Sequence, residues 1–156
     1  MPVRTGPLQA GQVNVLVDTS AWIALELQDD LHHRSARSAW EGALPGTRSL
    51  LISTWIFSET VTHLTRESGT ARAFLWGRRL LDHPKVAWVH GDEGLTSRAL
   101  LLVKQRGDTR FSFTDATSWV IAREHRVDAV FSFDRHLRMP GIRWIPDGGG
   151  TEVREP

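Results

Sequence analysis

Short apolar runs alternate along the chain with longer stretches in which apolar residues recur every three or four positions. Runs of the first kind predict buried strands, and stretches of the second kind predict amphipathic helices. The predicted strands are 13–17, 50–53, 86–89, 129–133 and 142–145. The predicted helices are 20–27, 33–43, 54–66, 70–81, 95–105 and 112–126. Such alternation is typical of an α/β fold, with a twisted, mainly parallel sheet of four or five strands and helices on both faces.

The pattern extends from residue 12 to residue 146, which predicts one domain. A chain of 156 residues is long enough for a single domain that buries about 68 to 70% of its unfolded surface. Residues 1–11 and 147–156 lack the pattern, and we expect them to be flexible tails. No apolar run reaches the roughly 18 to 20 residues that span a bilayer, and the first residues lack the apolar stretch of a signal peptide. We expect a cytoplasmic protein with no membrane partner.

Composition and motifs exclude several classes of protein. Hydrophobic residues make up 40% of the chain and charged residues 24%, as in ordinary soluble domains. There is no cysteine, which excludes disulfide frameworks, thiolate zinc sites and cysteine nucleophiles. No glycine-rich loop follows the first predicted strand and no GxxxxGK motif is present, which argues against dinucleotide binding and P-loop hydrolysis. Seven histidines show no zinc-binding spacing.

The charge balance is nearly neutral but strongly biased in type. Nineteen basic residues against eighteen acidic ones give a net charge of +1, and all the basic residues except Lys85 and Lys104 are arginines. Arginine presents a planar set of donors that suits phosphate oxygens, so the bias is compatible with a nucleic-acid partner. A GC-rich genome, which replaces lysine by arginine throughout its proteins, explains the bias equally well. The same two interpretations, a phosphate-contacting face or a solvated helix surface, apply to one predicted helix that carries Arg72, Arg78 and Arg79.

Four acidic residues are placed where an α/β sheet presents its carboxyl edge. Asp18 follows the first strand, and Asp134 directly follows the predicted strand 129–133. Asp115 begins a helix whose preceding loop opens toward that edge, and Glu59 projects from a helix that covers it. Ligands of open α/β sheets bind at this edge, so we expect the four side chains to converge.

A cluster of ionised carboxylates needs a counterion. At a separation of about 4 Å and an effective dielectric near 20, each pair of like charges costs about 4 kcal/mol. Oxygen ligands select hard divalent cations, and the chain offers no cysteine to favour a softer metal. The composition of the cluster therefore predicts Mg²⁺ or Mn²⁺.

Each of these residues has a structural alternative when it is taken alone. Asp18 precedes a helix and fits an N-cap, and Asp115 with Ser112 fits a capping box. Asp134 fits the start of a turn, and Glu59 fits the solvated flank of a helix. Only the combination, in this order along the chain, favours a metal site.

Four segments carry these residues: Val15-Leu-Val-Asp18-Thr-Ser20-Ala-Trp22, Phe57-Ser-Glu59, Ser112-Phe-Thr-Asp115-Ala-Thr-Ser118 and Val130-Phe-Ser-Phe-Asp134-Arg-His136-Leu. Together they resemble the motifs of the PIN-domain ribonucleases, most closely the VapC-type toxins of prokaryotic toxin-antitoxin pairs. The resemblance covers residues 13–145. It departs at Thr60, where the family usually has an aliphatic residue after the glutamate.

The resemblance implies a PIN-like fold and a metal-dependent endoribonuclease. It implies that an acidic quartet holds one or two Mg²⁺ or Mn²⁺ ions, with Asp18 and Asp115 as the principal ligands, Asp134 completing the site and Glu59 orienting a water on the ion. It also places several residues near the metal or the scissile phosphate: Thr19 or Ser20, Thr114 and Arg135. His136, two residues after Asp134, is expected to touch the substrate.

The implied partners are an RNA substrate, a small cognate antitoxin that blocks the acidic pocket, and a second copy of the chain in a homodimer. Two other hypotheses stay open. A magnesium-dependent phosphatase or a phosphoacceptor domain also places aspartates at this edge, although the chain lacks DxDxT and a late lysine. A non-catalytic RNA- or protein-binding module of the same fold is expected to have lost a carboxylate, and all four are present.

Seven tryptophans and no tyrosine stand out in the composition. Stacking on unpaired bases is one interpretation of such a bias. Burial in the core or in a dimer contact is the favoured interpretation for the four that lie on apolar faces of predicted helices. These four are Trp22, Trp55, Trp76 and Trp119.

Overall fold

A computed structural model describes residues 13–146. The two expected tails, 1–11 and 147–156, and the first residue of the expected domain, Gln12, lie outside the described residues. The flexibility of the tails therefore stays a prediction.

Five strands form one sheet in which every neighbouring pair is parallel. They are β1 (Val13–Val17), β2 (Thr47–Ser53), β3 (Val86–Val89), β4 (Ala129–Phe131) and β5 (Arg143–Ile145). Their spatial order is β3-β2-β1-β4-β5, so the chain builds outward from β1 on one side and then returns to its other side. Because crossovers between parallel strands are right-handed, this order is expected to place helices on both faces. Ligands of such sheets bind where the strand order reverses, which here is between the carboxyl ends of β1 and β4.

Six α-helices connect the strands: α1 (Thr19–Glu26), α2 (His33–Ala43), α3 (Thr54–Ser68), α4 (Thr70–Asp82), α5 (Glu93–Arg106) and α6 (Phe113–Glu124). Single turns of 3₁₀ helix cover Leu44–Gly46 and Arg135–Leu137. The α/β class, the sheet and all six helices agree with the sequence analysis, and each helix boundary lies within two residues of its predicted position.

Two strands differ from their predicted extents by more than one residue, and β5 begins one residue later than predicted. β2 begins at Thr47, three residues earlier than expected, because Thr47 and Ser49 pair with Val13 and Asn14 of β1. Ser49 is polar, but its hydroxyl donates to the Asn14 side chain at 2.7 Å, so the residue is satisfied within the sheet.

β4 ends at Phe131, and the prediction that Asp134 directly follows its strand is wrong. The next residue, Ser132, still donates its N–H to the carbonyl oxygen of Ile145 at 3.1 Å. Phe133 instead donates its N–H to the hydroxyl of Ser20 at 3.0 Å. The Ser20 hydroxyl thus replaces a strand partner as the acceptor, and from Phe133 the chain leaves the sheet toward the site.

The core lies on both sides of the central strands. Leu16, Ile52 and Val130 are almost inaccessible, as expected for strands of a parallel sheet that is covered on both faces. Trp22, Trp76 and Trp119 are buried, whereas Trp55 is half-buried, so burial is confirmed for three of the four tryptophans considered above. None of the helices described for residues 13–146 is long and apolar enough to cross a membrane.

All three arginines of α4 form ion pairs. Arg72 and Arg79 both reach the carboxylate of Glu26 on α1, at 3.3 and 2.6 Å, and Arg78 reaches Asp82 one turn along its own helix at 3.3 Å. The arrangement favours a solvated, ion-paired helix surface over a free phosphate-contacting face.

Candidate metal and active site

Asp18 stands at the carboxyl end of β1 and is only 5% exposed. It is the N-cap of α1, and its Oδ2 accepts hydrogen bonds from the Ser20 hydroxyl at 2.7 Å, the Ser132 hydroxyl at 2.9 Å and the Ser20 N–H at 3.4 Å. None of these bonds uses Oδ1. Burial raises the pKa of Asp18 above its ordinary value, although the hydroxyl donors oppose the shift. Asp18 therefore caps α1 and is also a residue of the candidate site.

Two serine hydroxyls join the end of β4 to the end of β1. Ser132 is fully buried, and its Oγ accepts the N–H of Asp134 at 3.0 Å while it donates to Asp18. Ser20 does the same for the N–H of Phe133. Ser132 was not predicted as a site residue; the available signal was a small polar residue inside the apolar run of the last motif.

Asp115 lies in the first turn of α6 and is 7% exposed. Its Oδ2 accepts the N–H of Ser112 at 2.9 Å, and its own N–H donates to the Ser112 hydroxyl at 3.0 Å, which completes the capping box expected from the sequence. The pKa of Asp115 is raised to about 6, mainly by burial and also by the charges of Asp134 and Asp18, while the hydrogen bonds from Ser112 oppose the shift. The fold therefore brings three of the four predicted carboxylates close enough to act on one another.

Asp134 is tied to His136. Its Oδ1 accepts the N–H of His136 at 2.9 Å and lies 2.9 Å from the ring Nδ1 of the same residue. The other ring nitrogen, Nε2, lies 3.2 Å from Oδ2 of Asp108. The ligand atoms of Asp115, Asp134 and His136 all lie within 4.8 Å of one another. His136 thus bridges two carboxylates beside the cluster, and the expectation that it touches the substrate stays a prediction.

Asp108 is a neighbour of the site that sequence reasoning missed. Its backbone hydrogen bond from Arg110, and then its contact with His136, lower the pKa of this carboxyl. It sits in the loop between α5 and α6, directly after Gly107, whose left-handed conformation at φ 62° ends α5. No sequence motif marks it, because its contact with His136 joins residues 28 positions apart.

Glu59 lies apart from this cluster, exposed on α3. Its Oε2 accepts the hydroxyl of Thr19 at 3.1 Å, and Thr19 directly follows Asp18. The two residues border a shallow cavity of about 310 Å³ whose other lining residues are Ser58, Thr62, His63 and Arg66. The structure thus places Glu59 at the rim of the site and connects it to Asp18 through one residue.

Thr114 and Arg135, the remaining predicted site residues, each adjoin one of the clustered aspartates. Thr114 is buried in the first turn of α6, and its carbonyl oxygen accepts the Thr117 hydroxyl at 2.7 Å. Arg135 is exposed, and its guanidinium makes no hydrogen bond or ion pair with another residue in the described part of the chain. The Arg135 guanidinium is therefore available to an anionic group of a ligand.

The residues present fit a hard divalent cation. The clustered donors are carboxylate oxygens, two of the three carboxylates are buried, and the charges that act on Asp115 are those of two other acids. Both ring nitrogens of His136 already face carboxylates, so oxygen dominates the donor set. Bringing such groups together without a cation or a proton is unfavourable.

Comparisons with known proteins place this arrangement in a family. The model of the PIN domain matches residues 15–141. The 23S rRNA-specific endonuclease VapC20 of Mycobacterium tuberculosis is 30% identical over 129 residues, which cover 82% of this chain and 95% of that protein. A VapC ribonuclease of Archaeoglobus fulgidus is 28% identical, with 81% of each chain covered.

Solved structures show the same fold. The crystal structure of M. tuberculosis VapC20, described as a toxin that cleaves the sarcin-ricin loop, superposes with a TM-score of 0.70 at 26% identity, over 77% of this chain and 89% of that one. A toxin-antitoxin complex from Klebsiella pneumoniae superposes with a TM-score of 0.59 at 17% identity, over 82% and 94% of the two chains. With a family match that spans nearly all of the described residues, and with this sheet and this acidic edge, the chain belongs to the PIN domain family.

Proposed function

We propose that this protein is a divalent-metal-dependent endoribonuclease and the toxin of a toxin-antitoxin pair. One observation carries the proposal: Asp18, Asp115 and Asp134, from three distant parts of the chain, meet at the carboxyl end of β1, where two of them have raised pKa values. The similarity to VapC20 and to a VapC ribonuclease supports RNA as the substrate.

The three aspartates are the residues that hold the ion, with Asp18 and Asp115 as the principal ligands and Asp134 completing the set. Mg²⁺ or Mn²⁺, when bound there, supplies positive charge that lowers the pKa of water and stabilises the leaving oxygen. Ser20 and Ser132 fix Asp18 through Oδ2, so that Oδ1 is oriented before an ion arrives. Ser132 also fixes the backbone of Asp134.

Two further side chains act on the RNA. Arg135 offers an unpaired guanidinium to a phosphate oxygen beside the carboxylates. Glu59, at the rim, orients the attacking water and accepts its proton, and the Thr19 hydroxyl holds this carboxylate in place. Water adds to phosphorus as the bond from phosphorus to the 3′ oxygen breaks, and the 3′ oxygen takes a proton from solvent. The products are a 5′ phosphate and a 3′ hydroxyl.

The proposed toxin has two protein partners. Exposed apolar side chains form two surfaces that a protein is expected to cover: Phe74, Leu75 and Leu81 on α4, and Leu100 and Leu101 on α5. A homodimer and a bound antitoxin are the two expected occupants. We expect the inhibiting segment of the antitoxin to bring an arginine to the carboxylates, because a guanidinium replaces the charge of the cation.

The experiment that tests the function maps RNA ends in cells that express the active protein, against cells that express the Asp18→Asn variant. Discrete 5′-phosphate ends that appear only with the active protein support the proposal and identify the target; ribosomal RNA is the first candidate, given the name of the 30%-identical relative. Co-expression of the neighbouring antitoxin gene should relieve growth arrest.

The same assignment is tested in vitro with purified protein and RNA. Cleavage should require added Mg²⁺ or Mn²⁺, stop with a chelator, and be lost in Asp18→Asn and Asp115→Asn proteins that remain folded. Full activity in either variant contradicts the assignment. Hydrolysis of a small phosphomonoester without cleavage of RNA would favour the phosphatase hypothesis instead.

A further inference from the structure

A stacked pair of aromatic rings includes Phe133, the residue that precedes Asp134 in the chain. The rings of His32 and Phe133 are nearly parallel, at an angle of 9° with centroids 4.5 Å apart. Phe133 stands between Ser132 and Asp134 in the chain, so its backbone adjoins the site. His32 is nevertheless exposed. Because Phe133 covers one face of the imidazole, the opposite face is open to solvent.

Hydrogen bonds connect the backbone of Phe133 to Asp18 through the hydroxyl of Ser20. The N–H of Phe133 donates to the hydroxyl of Ser20 at 3.0 Å, and the same hydroxyl donates to Asp18 at 2.7 Å. The ring of Phe133 also packs against Phe131, with centroids 6.1 Å apart. One serine therefore fixes both a carboxylate and the base of the aromatic stack.

The segment that carries His32 is anchored as well. The N–H of His32 donates to Oδ1 of Asp30 at 2.8 Å, and the next residue, His33, places its Nδ1 2.7 Å from the carbonyl oxygen of Ala24 on α1. A ring presented on an ordered loop loses little freedom when a ligand stacks on it, which favours binding.

A positive group completes the neighbourhood. Arg135 follows Asp134 and is two residues from Phe133, and its guanidinium is exposed and unpaired within the described part of the chain. Residues 133–135 thus connect an aromatic stack, an acidic residue of the proposed cation site and a guanidinium that can donate hydrogen bonds to a phosphate. A nucleotide of single-stranded RNA has the matching parts, a planar base and a phosphate.

We infer that the open face of His32, supported by Phe133, is a stacking platform for one unpaired nucleobase next to the scissile phosphate. This inference rests on the proposed function. Bases in a duplex are stacked on their neighbours and are not accessible, whereas bases in loops can be splayed out onto aromatic side chains. The platform therefore selects an unpaired nucleotide at one position, with little preference among the four bases.

The test asks whether the effect of removing the His32 ring depends on the presence of one particular base in the RNA. A cleavable single-stranded RNA is prepared as a series in which each position in turn is abasic. Binding is measured by fluorescence anisotropy with proteins that also carry Asp115→Asn, and cleavage with proteins that do not. The variants are His32→Ala, His32→Phe, which keeps a ring, and a control at an exposed histidine at the far end of α6, His125→Ala.

At one position, removal of the base should weaken binding by the parent protein roughly tenfold. His32→Ala should weaken binding of the intact RNA by a similar factor and should show no further loss with that abasic RNA, because the two changes remove the same contact. His32→Phe should restore both the affinity and the abasic penalty. His125→Ala should behave like the parent.

The outcomes separate this inference from the proposed function. If the wild type cleaves the RNA but each abasic position weakens binding equally in His32→Ala and in the parent, the stacking platform is wrong and the nuclease assignment stands. Coupled binding without any cleavage overturns the nuclease assignment and supports the platform. Absence of RNA binding overturns both. Thermal unfolding of each variant shows whether the exposed substitution has altered the fold.

Discussion

Asp115 serves a helix and the proposed metal site with the same carboxylate. Its bonds with Ser112 begin α6, and its burial beside two other acids raises its pKa to about 6. A buried carboxylate that competes with its neighbours for protons is unfavourable in the metal-free protein at neutral pH. The same arrangement makes the cluster receptive to a divalent cation.

The raised pKa of Asp115 predicts a specific dependence of stability on pH. The metal-free folded protein holds this proton more tightly than the unfolded chain does, whose ordinary value is 3.8. The resulting stabilisation is fully present below the unfolded value and is lost as the pH rises through about 6. With a chelator present, the Tm of the wild type should therefore rise from pH 7 to pH 5 relative to the Tm of Asp115→Asn at the same pH values.

Added Mg²⁺ should reverse this trend. The ion stabilises the protein near pH 7, and protons displace it below about pH 6, so its apparent affinity should fall roughly tenfold near pH 5. Isothermal titration at the two pH values measures the change. If the wild type and Asp115→Asn show the same pH profile without metal, Asp115 is not the titrating group.

Ser132 predicts a second effect at the scale of one residue. The Ser132→Ala variant removes a donor to Asp18 and an acceptor for the N–H of Asp134 inside a fully buried position. We expect a loss of about 1 to 3 kcal/mol in the free energy of unfolding and a 10- to 100-fold loss of Mg²⁺ affinity. Denaturant unfolding and metal titration measure the two quantities.

The matched control removes a hydroxyl that has only a backbone partner away from the site. Ser68 donates to the carbonyl oxygen of Leu64 at the end of α3. Its alanine variant should lose some stability and keep its metal affinity. Equal metal affinity in Ser132→Ala and the wild type would show that Ser132 has only a structural role.

At the scale of elements, the start of α6 and the loop before it organise one side of the site. Arg106, in the last turn of α5, lies over the rings of Phe111 and Trp119, at 4.6 and 4.3 Å from their centroids. The indole N–H of Trp119 donates to the carbonyl oxygen of His136 at 2.8 Å. The end of α5, the body of α6 and the 3₁₀ turn after Asp134 are therefore held together by one aromatic cluster.

The capping box of α6 should contribute measurably to stability and less to catalysis. Ser112→Ala removes the hydroxyl that accepts the N–H of Asp115 but keeps the Ser112 N–H that donates to its carboxylate. We expect a loss of about 1 kcal/mol and a decrease of roughly 2 to 4 °C in Tm. RNA cleavage well below that Tm should fall far less than in Asp115→Asn.

Ser112→Thr is the control for this prediction, because threonine is also a good N-cap residue and should restore most of the Tm. An unchanged Tm in Ser112→Ala would show that the box adds nothing to stability. A loss of cleavage as large as that of Asp115→Asn would instead assign the hydroxyl a direct role in the site.

At the scale of the whole molecule, the net charge of +1 makes general attraction of RNA weak. The three arginines of α4 are paired with two carboxylates, those of Glu26 and Asp82, which leaves about one net positive charge on this surface. Affinity for RNA must then depend on a few local groups. Arg135, which follows Asp134 in the chain, is exposed and has no ion-pair partner among residues 13–146.

This distribution predicts how salt affects RNA binding. Each phosphate contact to a single strand contributes a slope of about −0.7 in a plot of log K against log salt concentration. Arg135→Gln should reduce the magnitude of the slope by about that amount. Arg78→Gln, which removes a charge already paired with Asp82, should leave the slope unchanged. Equal slopes in the wild type and Arg135→Gln would remove Arg135 from the RNA-binding surface.

The local pattern of the chain determined its elements. Apolar runs and helical periodicity predicted five strands and six helices, and the capping motif Ser112-Phe-Thr-Asp115 predicted the start of α6. These features depend on interactions between residues a few positions apart, which a sequence displays directly. The acidic residues and their order were visible for the same reason, and with them the family.

Only the tertiary structure decided which of these residues meet. Three aspartates cluster while Glu59 stays at the rim, Ser132 joins two of the acids, and His136 reaches Asp108 across 28 positions. Even the end of β4 depends on the hydroxyl of Ser20, 113 positions away from Phe133. The strand pattern predicted that the acids lie at one edge of the sheet. Which side chains contact one another there follows from how helices and strands pack, and local sequence preferences do not determine it.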